Sequence, residues 1–105
     1  MNVLLDACVP RPLRRFLPAH AVHTAQEMGW AQLKNGALLK AAEPQFDAFL
    51  TSDRNLKHQQ NIAGRKLAIL VLPTNDWPTL QRMAGRIAAR VAALKPGDLV
   101  EMSSE

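Results

Sequence analysis

The chain has 105 residues, 48% of them hydrophobic and 21% charged, which is ordinary globular usage and room for one domain over residues 1–105. Disorder throughout, a collagenous repeat and a disulfide scaffold are excluded by that composition. Thirteen Lys and Arg against nine Asp and Glu leave a formal net charge of +4, which suits an anionic partner such as nucleic acid.

Val3-Leu4-Leu5 is an apolar run too short for a core helix and reads as a buried strand. Pro12 opens a helix in which Leu13, Phe16 and Leu17 fall at helical spacing, with Arg14 and Arg15 between them and Pro18 at the end. Ala21 to Thr24 is a second short strand, and Thr24 caps a short helix over Ala25 to Met28. Asn35-Gly36 opens a further helix, with Leu38, Leu39 and Ala42 on its apolar side and Pro44 after it. Phe46 to Thr51 reads as a strand, with Asp47 inside it, followed by the polar turn Ser52-Asp53-Arg54-Asn55. Gln59 to Gly64 is given one or two helical turns. Leu67 to Leu72 is apolar on both faces, the mark of a parallel strand covered by helices on each side. Asn75 or Asp76 caps the last helix, where Pro78 sits in the first turn and Leu80, Met83, Ala84, Ile87, Val91 and Leu94 form one stripe. Pro96-Gly97 ends it, and Leu99-Val100 adds a final strand. This order implies an α/β domain of three layers, with a mostly parallel central sheet of four to five strands.

In an open parallel sheet, ligands gather beyond the carboxyl ends of the strands. Asp6 follows the first strand and Asp53 follows the strand ending at Thr51, so neighbouring strands would bring both carboxylates to one cleft. Close carboxylates repel unless a cation lies between them, and oxygen ligands of this kind suit Mg²⁺ or Mn²⁺. The plainer reading makes Asp6 a helix cap and Asp53 the head of an Asx turn before Asn55.

Three stretches carry a resemblance: Met1-Asn2-Val3-Leu4-Leu5-Asp6, Asn35-Gly36-Ala37-Leu38-Leu39-Lys40-Ala41-Ala42, and Phe49-Leu50-Thr51-Ser52-Asp53-Arg54-Asn55-Leu56. Together they resemble a PIN domain, and most of all the compact bacterial PIN-like branch related to VapC-type toxins. The resemblance spans about residues 1–72. It implies a Mg²⁺- or Mn²⁺-dependent single-strand endoribonuclease, the toxin of a bacterial toxin–antitoxin pair, with a cognate antitoxin protein as partner. Asp6, Asn35 and Asp53 stand at the family's acidic positions. They are the expected catalytic residues, with Asp6 and Asp53 as metal ligands and Asn35 completing the shell. Asn35 is neutral where a carboxylate is common, and Ala7 stands where relatives often carry a second acid. Glu27 is a candidate replacement ligand; Glu43 reads as surface and Asp47 as peripheral. The alternative is a module of the same fold that has lost catalysis and binds RNA or a partner protein. Asn35 is also a favoured helix-cap residue.

Arg54, Asn55 and Lys57 follow Asp53 directly and are candidate RNA contacts, as are Arg11, Arg14 and Arg15 on the other bank of the cleft. The alternative for each is a solvated loop or helix face. Arg82, Arg86 and Arg90 read as a wet helix side. Phe16, Phe46 and Phe49 sit in core-like patterns, so no aromatic interleaving supports base stacking; Trp30 and Trp77 are loop-edge residues that seal core edges, with contact to a partner as the alternative. Cys8 is not read as a nucleophile, and His20, His23 and His58 have no metal-ligand spacing. No apolar run approaches the roughly 20 residues of a membrane helix, the N-terminus lacks signal-peptide character, and a single cysteine fits a cytoplasmic location. The small size makes a homodimer plausible.

Overall fold

Val3, Leu4 and Leu5 are all fully buried, yet their side chains enter two different cores. Alternation of this kind is what a strand covered on both faces requires. The computed structural model describes residues 1–56 and 65–104, the Asn35 side chain excepted. In chain order the elements are β1 (Asn2–Leu5), a 3-10 helix (Arg11–Phe16), β2 (Ala21–Thr24), α1 (Asn35–Ala42), β3 (Ala48–Thr51), β4 (Ala68–Val71), α2 (Trp77–Arg82), α3 (Ala84–Ala93) and β5 (Leu99–Glu101).

The five strands form one sheet in the order β2-β1-β3-β4-β5, and every adjacent pair is parallel. One face carries Val3, Leu5, Leu50 and Leu70 under the 3-10 helix, α2 and α3, which contribute Leu13, Leu80, Ile87 and Val91. The other carries Leu4, Phe49 and Ile69 under α1, which contributes Leu38, Leu39 and Ala42. This is the expected three-layer α/β domain. From β1 the chain moves to one side for β2, then crosses back to place β3 on the other side. The strand order therefore reverses between β1 and β3, and a crevice opens at their carboxyl ends.

Several boundaries differ from the sequence expectations. The helix after β1 is a 3-10 helix because Pro18 has no N–H to give the Arg14 carbonyl; Leu17 N–H reaches that oxygen instead, at 3.1 Å. Phe16, expected in the core, is 37% exposed at the end of this helix. The short helix at Ala25 to Met28 is a single turn. Thr24 and Glu27 cap each other reciprocally, with Thr24 N–H on Glu27 Oε1 at 2.9 Å and Glu27 N–H on Thr24 Oγ1 at 3.1 Å. Gly29, at φ +76°, then stops the helix at once, and Trp30 N–H returns to the Ala25 carbonyl at 2.8 Å. A start signal and a stop signal so close leave no room for more.

The cap position of α1 falls on Lys34, and Asn35 is its first helical residue. The strand at Phe46 to Thr51 begins at Ala48, so Asp47 lies outside it, where Asp47 Oδ2 accepts Asn2 N–H at 2.7 Å. Glu43 is not mere surface: its Oε1 accepts Lys66 N–H at 2.7 Å and ties the end of α1 to the approach of β4. Asp76 caps α2 as expected, accepting Thr79 N–H at 3.1 Å. The last apolar stripe is continuous, but its backbone breaks at Met83 (φ −92°, ψ 0°) into two helices. The helical turns expected at Gln59 to Gly64 lie outside the described residues.

Candidate active site

The parallel ladder places the first site residue. Asp6 N–H donates to the Leu50 carbonyl at 2.9 Å, so Asp6 continues the β1–β3 pairing one step past Leu5. Its side chain is 9% exposed and lies at the rim of the reversal between β1 and β3. Asp6 Oδ1 accepts Ala7 N–H at 2.8 Å. Asp6 Oδ2 accepts the Thr51 hydroxyl at 2.7 Å and the Cys8 thiol at 3.5 Å. All three donors are neutral, and no Lys, Arg or His among the described residues forms an ion pair with this carboxylate.

Thr51 connects the second site residue. It is fully buried, and its Oγ1 accepts Asp53 N–H at 3.0 Å while donating to Asp6. Asp53 is half-buried and accepts Asn55 N–H through Oδ1 at 3.0 Å, the Asx turn of the plainer reading. A turn and a ligand position are compatible, because the turn fixes where the carboxylate stands. Ser52 donates to Cys8 Sγ at 3.1 Å, and Gln26 Nε2 donates to the Ala7 carbonyl at 3.2 Å. The loop after β1 is thus tied to the ends of both flanking strands. Thr51, Ser52 and Cys8 were absent from the sequence-derived site. Their signal was the polar Thr51-Ser52 pair closing an otherwise apolar strand.

The remaining candidates divide. Glu27 has both oxygens on Arg14 Nη1, at 2.8 and 3.1 Å, and Oε1 also takes Thr24 N–H. These bonds hold its carboxyl below the usual glutamate range, the Thr24 N–H foremost and then the Arg14 guanidinium. Glu27 therefore serves the β2 turn, and Arg14 is committed to it. Arg54 Nη2 donates to the Pro73 carbonyl at 2.7 Å and braces the loop after β4. Arg11 and Arg15 are exposed and make no hydrogen bond or ion pair to a described residue; with Pro12 and Arg14 they line a cavity of about 290 Å³. Asn35 opens α1, and Lys57 lies outside the described residues. A wider cavity of about 520 Å³ lies at the opposite, amino edge of the sheet, between Asn2, Phe46, Asp47 and Lys95, far from the strand ends that carry Asp6 and Asp53.

Comparison of the chain with family models, curated proteins and solved structures returned no match. The donor set itself tests which ion fits. Among the described residues no group of three or more His, Cys, Asp and Glu could hold a metal ion. Carboxylate oxygens such as those of Asp6 and Asp53 are of the type that suits a hard, hydrated cation such as Mg²⁺, which keeps several waters and uses one or two carboxylates together with substrate phosphates. No described helix is long and apolar enough to cross a membrane.

Proposed function

We propose that the protein is a Mg²⁺- or Mn²⁺-dependent single-strand endoribonuclease of the PIN-like class. The observation that carries this reading is Asp6: a carboxylate 9% exposed, at the strand reversal, with only neutral hydrogen-bond donors around it. Burial of such a group is costly without a compensating positive charge. Asp6 and Asp53 would hold a divalent cation, which would supply Lewis acidity for hydrolysis of a phosphodiester. The Thr51 hydroxyl donates to the Asp6 carboxylate and accepts the Asp53 main-chain N–H, which ties the two positions to one side chain. Arg11 and Arg15 hold the phosphates of the strand. Asn35 stands in the resemblance as a neutral partner of the pair.

The resemblance also supports a role as the toxin of a toxin–antitoxin pair, and a net charge of +4 complements an acidic antitoxin. A cytoplasmic location fits Cys8, a free and exposed thiol.

Calorimetric titration with Mn²⁺ and cleavage of a single-stranded RNA test the reading together. The wild-type chain binds Mn²⁺ and cleaves, while Asp6→Asn and Asp53→Asn lose both. Cleavage surviving both changes rejects the assignment. Absence of binding at millimolar Mn²⁺ favours the second reading, a non-catalytic module, which the scarcity of acidic ligands motivates.

A further inference from the structure

Phe16 and Trp77, distant in the sequence, meet at the surface. Their ring centroids are 6.0 Å apart with planes inclined at 45°, a tilted contact between the end of the 3-10 helix and the start of α2. Phe16 is 37% exposed, while Trp77 is half-buried and packs against the core. In a 3-10 helix side chains three apart eclipse, which stacks Arg11 over Arg14 and sets Pro12 over Arg15. Arg14 is held by Glu27 at 2.8 Å and so stiffens this surface, while Arg11 and Arg15 have no described partner. A cavity of about 290 Å³ is lined by Arg11, Pro12, Arg14 and Arg15. A partly exposed aromatic pair and unpaired cations on the same short helix are the combination that single-stranded nucleic acid uses, the bases on the rings and the phosphates on the cations.

We propose that the Phe16–Trp77 pair is a base-stacking platform for the RNA strand, with Arg11 and Arg15 gripping the phosphates on either side of the stacked nucleotide. This rests on the reading of the protein as acting on RNA, and deepens it by naming how the strand is held. A single strand is the fitting occupant because its bases are free to leave their own stack, whereas a duplex keeps them inside. The charge is complementary: the helix that ends in Phe16 carries Arg11, Arg14 and Arg15 and no acidic residue.

Fluorescence anisotropy with a short single-stranded RNA, in chelator without divalent cation, separates binding from cleavage. Phe16→Leu keeps an apolar side chain over the core but removes the ring, and weakens binding by about tenfold. Trp77→Phe keeps a ring and stays close to wild type. An abasic strand of equal length binds wild type and Phe16→Leu alike. Changing Arg11 and Arg15 together to Gln weakens every strand and lowers the salt slope by about 1.4. Circular dichroism checks that each variant is folded. Equal RNA affinity of wild type and Phe16→Leu overturns the platform, and so does a loss that extends to the abasic strand. Wild-type Mn²⁺-dependent cleavage, assayed separately, tells whether the nuclease reading stands when the platform falls. A ring-dependent affinity without cleavage leaves the platform standing and rejects the nuclease.

Discussion

The buried Thr51 hydroxyl donates to Asp6 Oδ2 across 2.7 Å, and Thr51 Oγ1 in turn accepts Asp53 N–H at 3.0 Å. One side chain thus orders both candidate metal-ligand positions. Thr51→Val preserves shape but leaves Asp6 Oδ2 without its shortest bond and Asp53 N–H without an acceptor. A loss of about 1–3 kcal/mol in urea unfolding is expected, with weaker Mn²⁺ binding. Thr51→Ser keeps the hydroxyl and recovers most of the Mn²⁺ affinity. Wild-type stability in Thr51→Val would mean the hydroxyl orders nothing.

Acid should weaken the turn after β2. Glu27 is held below its ordinary value near 4.5, first by Thr24 N–H and next by the Arg14 side chain. The folded form therefore binds its proton less readily than the unfolded chain. Its contribution to stability is complete above the ordinary value and disappears as pH falls through the depressed one. Glu27→Gln should lower the melting temperature at neutral pH by a small, salt-sensitive amount, since the pair is exposed. The gap to wild type should close progressively below pH 4.5. A gap that persists unchanged in acid would show that ionisation of Glu27 does not contribute.

Two glycines with left-handed backbones should differ in their tolerance of alanine. Gly29 (φ +76°) has open space where a Cβ would stand, whereas at Gly97 (φ +82°) a Cβ would lie 3.1 Å from the Arg65 carbonyl oxygen. The left-handed conformation costs an L-residue about 1–2 kcal/mol at either position. Gly97→Ala adds a displacement of main chain, because Gly97 N–H also bonds the Lys66 carbonyl at 2.9 Å. Thermal melts should place Gly97→Ala below Gly29→Ala; the reverse order would contradict the close approach of the two segments.

The two cores can be probed separately. Leu70 and Leu39 are both fully buried, Leu70 on the α3 face and Leu39 in α1 on the other. Each change to Ala should cost about 2–5 kcal/mol by chemical denaturation. Cooperative loss of both faces in a single transition is expected, because β1, β3 and β4 belong to both cores.

Much of the fold was legible from local pattern. Leu67 to Leu72, apolar on both faces, announced a parallel strand, and Leu80, Met83, Ile87 and Val91 announced the helix face that covers it. The errors came where two local signals stood too close together. The Thr24–Glu27 cap and the Gly29 stop left only one turn, and Pro18 withheld the hydrogen bond that an α-helix over Phe16 would have needed. The exposure of Phe16 and its contact with Trp77 depend on α2 docking beside the 3-10 helix, which no spacing within either segment encodes.

By itself, the sequence determined that short buried strands alternate with helical segments, and that an aspartate follows two of those strands. Periodicity and capping are local properties, written in neighbouring residues. Only the tertiary structure decided that β1 and β3 pair, that Thr51 stands between Asp6 and Asp53, and that Glu27 turns to Arg14 instead of the rim. Those outcomes are set by which strands share hydrogen bonds and by which donor reaches each buried oxygen, relations between residues distant in the chain.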